Sequence, residues 1–119
     1  NLAAMYLERG DPDKAEPLFL RSRVIAEKTL APDHPAVART YGNLGTLYGM
    51  QKNFQQAEKL LRRSIEITEK AGVPYVPELI VSLKNHAVVL RSLDRTQEAA
   101  ECEAKAKDLD AKRRQSSGA

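Results

Sequence analysis

The feature that most constrains this chain is a self-similarity at a constant offset of 42 residues, the spacing from Asn1 to Asn43 to Asn85. At the same offset Leu2 falls on Leu44, and Tyr6 on Tyr48. Small residues share the columns Ala3/Gly45/Ala87 and Ala15/Ala57/Ala99, and Glu16/Glu58 and Leu18/Leu60 also match. Further along come Ser22/Ser64/Ala106, Ile25/Ile67/Leu109, and Glu27-Lys28 against Glu69-Lys70, while Pro32 and Pro35 recur as Pro74 and Pro77. So many matches at one offset mark internal duplication. A unit of this length cannot bury its apolar face alone, so neighbouring units must stack, and about three are needed for a stable array.

Each unit reads as two helices. In the second, Val37, Tyr41, Leu44, Gly45 and Tyr48 recur at helical spacing on one face. Lys52 and Asn53 make a turn, after which Ala57, Leu60, Leu61, Ser64, Ile65 and Thr68 repeat the pattern. Gly72 and Pro74 end that helix, and Pro77 suits the first turn of the next. Pro32-Asp33-His34-Pro35 does the same work in the first unit, where Asp11-Pro12-Asp13 opens the second helix. The small columns belong where the two helices of a hairpin cross closely, since a large side chain there would hold them apart. The expected fold class is therefore all-α, a solenoid of antiparallel helix hairpins forming one domain. Residues 1–34 make a first repeat with a truncated first helix, 35–76 a second, 77–114 a third with a polar capping last helix, and 115–119 a disordered tail.

Composition agrees with an ordered helical protein: 42% hydrophobic and 29% charged residues, with six Gly and six Pro in 119. The net charge of +3 is too small and too scattered to mark a nucleic-acid binder, and Arg62-Arg63 and Lys112-Arg113-Arg114 lack interleaved aromatics. No apolar run is long enough to span a bilayer and no signal-peptide pattern opens the chain, so no membrane partner is expected. One cysteine, Cys102, allows no internal disulfide and suits a reducing, cytoplasmic setting in which it packs as a small apolar residue.

The pattern Asn-Leu-Ala-x-x-Tyr-x-x-x-Gly followed by Ala-Glu-x-Leu, from Asn1 to Leu18, resembles the tetratricopeptide repeat. The period and the link Leu30-Ala31-Pro32-Asp33-His34-Pro35-Ala36-Val37-Ala38 resemble the longer kinesin-light-chain type of that repeat. The likeness runs from residue 1 to about residue 110 and implies a right-handed superhelix, an α-α solenoid. Departures are confined to a few places. Lys52 and Asp94 stand where Gly10 fits the family's turn, Thr96 where Phe54 supplies an aromatic, and Tyr75-Val76 where the link has Asp-His. These mark the third unit as terminal. So do Glu103, in the column of Phe19 and Leu61, and Lys107, in that of Ile65, which make the last helix polar on its outer side as a cap requires. At the other end Asn1 falls mid-helix, and more repeats are expected upstream.

Opposite the core stripe of the second unit's first helix lie Arg39, Asn43, Thr46 and Met50. The corresponding residues are Val81, Asn85, Val88 and Ser92 in the third unit, and Asn1, Ala4 and Glu8 in the first. In tetratricopeptide arrays the first helices line the concave surface, so the resemblance implies that these positions face a ligand groove. Asn is a mediocre residue for a helix interior, yet one recurs in every unit. An amide carries both a donor and an acceptor and can pair with a peptide backbone without reading its sequence. The alternative is that Asn43 and Asn85 bond to neighbouring hairpins or face water. Lys84, Arg39 and Arg91 add positive charge near the groove. The Lys/Asn set of the carboxylate-clamp domains is not matched, because Val81 stands where that set wants a base.

Catalysis has no visible machinery. His34 belongs to the link, His86 sits in a helix beside Asn85, and Cys102 has no Cys or His at ligand spacing, so neither a metal nor a cofactor is expected. Glu16, Glu58 and Glu101 recur as parts of the architecture, and no phosphate loop, nucleophile elbow or carboxylate pair appears. The expected function is a non-enzymatic module that binds a protein or peptide in its groove. Two others compete: a structural or sensor solenoid in a larger signalling NTPase or scaffold, and homo-oligomerisation through apolar surface around Leu2, Met5 and Tyr6.

Overall fold

The computed structural model describes residues 2–118, with the side chains of Ala4 and residues 116–118 outside the description. Asn1, assigned to the groove from sequence, therefore lies outside the described residues. Six α-helices follow in order: α1 (Leu2–Glu8), α2 (Pro12–Thr29), α3 (Pro35–Met50), α4 (Phe54–Ala71), α5 (Val76–Ser92) and α6 (Thr96–Gly118). They form three hairpins, α1/α2, α3/α4 and α5/α6, and each helix packs on the next in the chain. The first helices of the second and third hairpins also touch, α3 against α5. This is the stacked-hairpin solenoid that the period requires.

The repeat is visible at the level of backbone hydrogen bonds. In the first hairpin turn the Gly10 N–H donates to Leu7 O at 3.0 Å and the Asp11 N–H to Tyr6 O at 2.8 Å. The second repeats this with Lys52 to Gly49 (3.1 Å) and Asn53 to Tyr48 (2.8 Å), and the third with Asp94 to Arg91 (3.1 Å) and Arg95 to Leu90 (2.8 Å). Such a helix ending needs one residue in the left-handed region. Gly10, Lys52 and Asp94 supply it at φ 78°, 64° and 61°. The departures from Gly noted in sequence therefore keep the turn and place a side chain where glycine is favoured.

The links between hairpins differ more. His34 caps α3, its Nδ1 accepting from the Ala36 N–H at 3.0 Å. Val76 occupies the corresponding place in the next link and has no such acceptor. There a 3-10 turn, Val73–Tyr75, leads into α5, which starts at Val76, one residue before the boundary placed at Pro77.

Packing follows the columns. Ala15, Ala57 and Ala99 are all fully buried, as are Leu44, Leu47 and Leu61; each of the leucines contributes about 2 kcal/mol on burial. A Cβ placed on Gly45 would come within 2.7 Å of Leu61 Cγ, so the small residue there sets how closely α3 and α4 cross. Ser64 crosses the same interface, its hydroxyl donating to Ala38 O at 2.8 Å. The corresponding positions of the first hairpin behave differently: Ile67 is buried against Val37 and Ala38, whereas Ile25 is 56% exposed. Ile67 owes its burial to Val37 and Ala38 near the start of α3 and to Ala26 of α2.

At the far end Glu103 and Lys107 are exposed, and α6 presents Ala99 and Ala106 to the core. The described backbone is helical through Gly118. No helix breaker precedes that glycine. Lys112 pairs with Asp108 at 3.1 Å, and Arg113 and Arg114 with Asp110 at 2.8 and 3.1 Å, all at helical spacing.

Candidate functional site

The sequence-predicted groove residues divide into three groups. Thr46 and Met50 of α3 and Asn85 and Val88 of α5 come together around a recess of about 250 Å³, floored by Gly45, Leu61 and Val89. Asn85 Nδ2 donates to Thr46 Oγ1 at 3.4 Å, so one arm of the amide reaches the neighbouring hairpin. Both apolar residues at the rim lie open, Met50 at 40% and Val88 at 65% exposure. Val81 is also exposed on α5 but stands outside this recess.

Arg39 and Asn43 line a second recess of about 410 Å³, where α3 faces Leu18, Arg21 and Ser22 of α2 and Leu2 of α1. Asn43 is half-buried there and Arg39 exposed, so two guanidinium groups, Arg21 and Arg39, border this end of the face. Lys84 and Arg91 go elsewhere. Arg91 is ion-paired with Glu103 of α6, and Lys84 borders a cleft with Glu103, Lys107 and Asp110. These two cations sit on the α5/α6 side, apart from the amide-bearing recesses. Of the two, Arg91 is engaged by the hairpin's own second helix through Glu103.

A second cluster escaped the sequence reading. Glu58, taken there as an architectural residue, is only 5% exposed and lies at the crossing of α4, α5 and α6. Its Oε2 is 2.9 Å from His86 Nε2, and its Oε1 accepts from Arg95 Nη1 at 3.3 Å. On the other side of the imidazole, Nδ1 lies 3.6 Å from Cys102 Sγ. Cys102 packs against two apolar core clusters, as its sequence reading expects, and also contacts His86. A signal was available: at the 42-residue offset they occupy the columns of Leu44 and Leu60, both buried in the core cluster shared by the first two hairpins. Two polar residues standing together in two apolar columns imply contact with each other.

Among the described residues no helix is long and apolar enough to cross a membrane. No group of three or more His, Cys, Asp or Glu side chains among them is arranged to hold a metal ion.

The model of the tetratricopeptide repeat family matches residues 1–70 and 51–112, most of the chain. The chain belongs to the tetratricopeptide repeat family. Solved structures agree with this fold. BtubC (BKLC) from P. vanneervenii superposes with a TM-score of 0.87 at 22% identity, covering 96% of this chain and 46% of its own. A Podosopora anserina protein classed with the kinesin light chains, with nearly identical TPR-like repeats, gives 0.83 at 26% identity, covering 93% of this chain and 53% of its own. A point variant of that protein gives 0.82 at 26% identity, covering 93% and 52%. The chain thus spans about half the length of each solved structure it resembles. No curated protein sequence matches it. Its repeats are of the kinesin-light-chain-like TPR type, and tetratricopeptide repeats serve generally as protein–protein interaction modules on a non-catalytic scaffold.

Proposed function

We propose that the face built by α3 and α5 holds an extended segment of a partner protein, with Asn43 and Asn85 pairing to its backbone. The observation that carries this reading is the recess at Thr46, Met50, Asn85 and Val88, where exposed apolar side chains stand beside an amide. An extended peptide presents alternating side chains and a free row of backbone groups. Val88, Met50 and Val81 offer apolar contact to side chains, while Asn43, Asn85 and Thr46 offer donors and acceptors to the backbone. Arg39 gives the second recess a preference for acidic residues or a C-terminal carboxylate.

Panning a degenerate peptide library against the chain tests this. Peptides enriched on the wild type should bind Asn43→Ala/Asn85→Ala at least ten-fold more weakly, with the melting temperature nearly unchanged. Equal binding to both proteins rejects the asparagine assignment.

A second reading has its own observation. Of the residues expected at such a face, Leu2 is exposed while Met5 and Tyr6 are half-buried; Leu20, Val24 and Ile25 of α2 add exposed apolar surface on the first hairpin, suited to stacking against another copy of the chain. Sedimentation that reports a monomer at high concentration excludes it.

A further inference from the structure

The third repeat departs from the second at one internal contact. Where Leu44 and Leu60 share a buried core, the residues one period later are His86 and Cys102. Replacing an apolar pair by two polar groups gives up stability, and such local violations of packing rules concentrate where a protein carries out chemistry. The geometry is ordered as well as unusual. A carboxylate only accepts, so the Nε2 hydrogen points to Glu58, 2.9 Å away. In the neutral imidazole this leaves the lone pair on Nδ1, which faces the Cys102 sulfur at 3.6 Å. Glu58 is held in turn by Arg95 at 3.3 Å and Arg62 at 3.7 Å.

Burial pushes the Cys102 thiol up from its ordinary value, against an opposing pull from Lys105. The resting sulfur is therefore a thiol, and it becomes a nucleophile only when a base takes its proton. It borders a cleft of about 350 Å³ walled by Ile65, Leu83 and Leu90. The other charged groups facing that cleft are Arg62 and Glu66 of α4 and Arg95, Glu98, Glu101 and Lys105 of α6, the last paired with Glu69.

We propose that Cys102 is a site of oxidation by small hydroperoxides, with His86 as its base and Glu58 as the residue that positions the ring. In the step, the thiol proton passes to Nδ1 as sulfur attacks one peroxide oxygen. The O–O bond breaks, and the departing hydroxide takes the proton back from Nδ1 to leave as water. The balance is R–SH + HOOH → R–SOH + H₂O, with sulfur oxidised by two electrons and the peroxide reduced by two. A peroxide fits this site better than an acyl donor. Cys102 lies mid-helix, where backbone N–H groups are engaged in helix bonds and cannot form an oxyanion hole. A peroxide needs only a returned proton, and His86 provides it.

The test treats the reduced chain with hydrogen peroxide at about pH 7, traps sulfenic acid with dimedone, and follows intact mass. The wild type should gain one adduct, absent in Cys102→Ser. His86→Leu restores the residue type of the Leu44 column, and His86→Gln keeps a donor for Glu58 but supplies no base. Both should label at least ten-fold more slowly, with Glu58→Gln in between, and circular dichroism should show all of them folded. Alkylation by iodoacetamide at about pH 10, where hydroxide removes the proton instead, should bring the wild type and the His86 variants to within about two-fold. Three results overturn the proposal: no adduct on the wild type, equal labelling of the wild type and both His86 variants at pH 7, or variants that stay slow at pH 10. The last would show that the substitutions only block access.

Discussion

The three hairpin turns allow one physical quantity to be isolated by exchange. Gly10, Lys52 and Asp94 occupy the same turn position, with the same hydrogen bonds and φ between 61° and 78°. An L-residue with a Cβ is disfavoured in the left-handed region by roughly 1–2 kcal/mol, less for Asp, whose short polar side chain tolerates it. Lys52 and Asp94 are exposed and lose no core contact on truncation. A Cβ on Gly10 would meet nothing within 4 Å, so substitution there perturbs only the backbone. Lys52→Gly should therefore stabilise by about 1 kcal/mol, Asp94→Gly by about half as much, and Gly10→Lys should destabilise by about 1 kcal/mol. With a urea m-value of about 2 kcal/mol/M, each full step moves the midpoint by about 0.5 M at constant m. Urea unfolding followed by circular dichroism reads this directly. A midpoint that falls in Lys52→Gly, or stays put in Gly10→Lys, refutes the argument that the turn is a strained left-handed position filled by non-glycine residues.

Other consequences can be checked singly. Gly45→Val should lower stability by more than about 2 kcal/mol, because even its Cβ would overlap Leu61; an unchanged melting temperature would mean α3 and α4 can separate freely. Glu58→Ala should cost about 2 kcal/mol by leaving His86 and Arg95 without their buried acceptor, and Glu58→Gln about half that, as read by denaturant unfolding. The Arg113 hydrogen bond, with Arg114 adding to it, holds the Asp110 carboxyl below the ordinary aspartate value. A depressed carboxyl stabilises the fold above the unfolded-state value, and this contribution is lost as pH falls through the folded one. A carbon-13 NMR titration of Asp110 should therefore show a midpoint below that of a model peptide, and one at the peptide value contradicts the pairing.

Much of the architecture was legible because it depends on spacing. The period gave the number of hairpins, and the columns Ala15/Ala57/Ala99 and Gly45 marked the crossings. Less legible was anything dependent on contacts between distant helices. Ile25 aligns with Ile67 yet is exposed, whereas Ile67 is buried against Val37, Ala38 and Ala26. Lys84 and Arg91 looked like groove cations on a helical wheel. Arg91 instead pairs with Glu103 of α6, and Lys84 borders a cleft with residues of that helix, neighbours that a wheel drawn for one helix does not contain. The Glu58–His86–Cys102 contact joins three helices and residues far apart in sequence, so no local motif announces it. Only the replacement of two leucine columns does.

The central claim is that a ligand lies along α3 and α5, and hydrogen–deuterium exchange with a library-selected peptide bound tests it most directly. The account predicts added protection in α3 around Asn43 to Met50 and in α5 around Val81 to Val88, with α4 and α6 unchanged. Protection confined to α2, α4 or α6, with these segments exchanging as in the free chain, would contradict it.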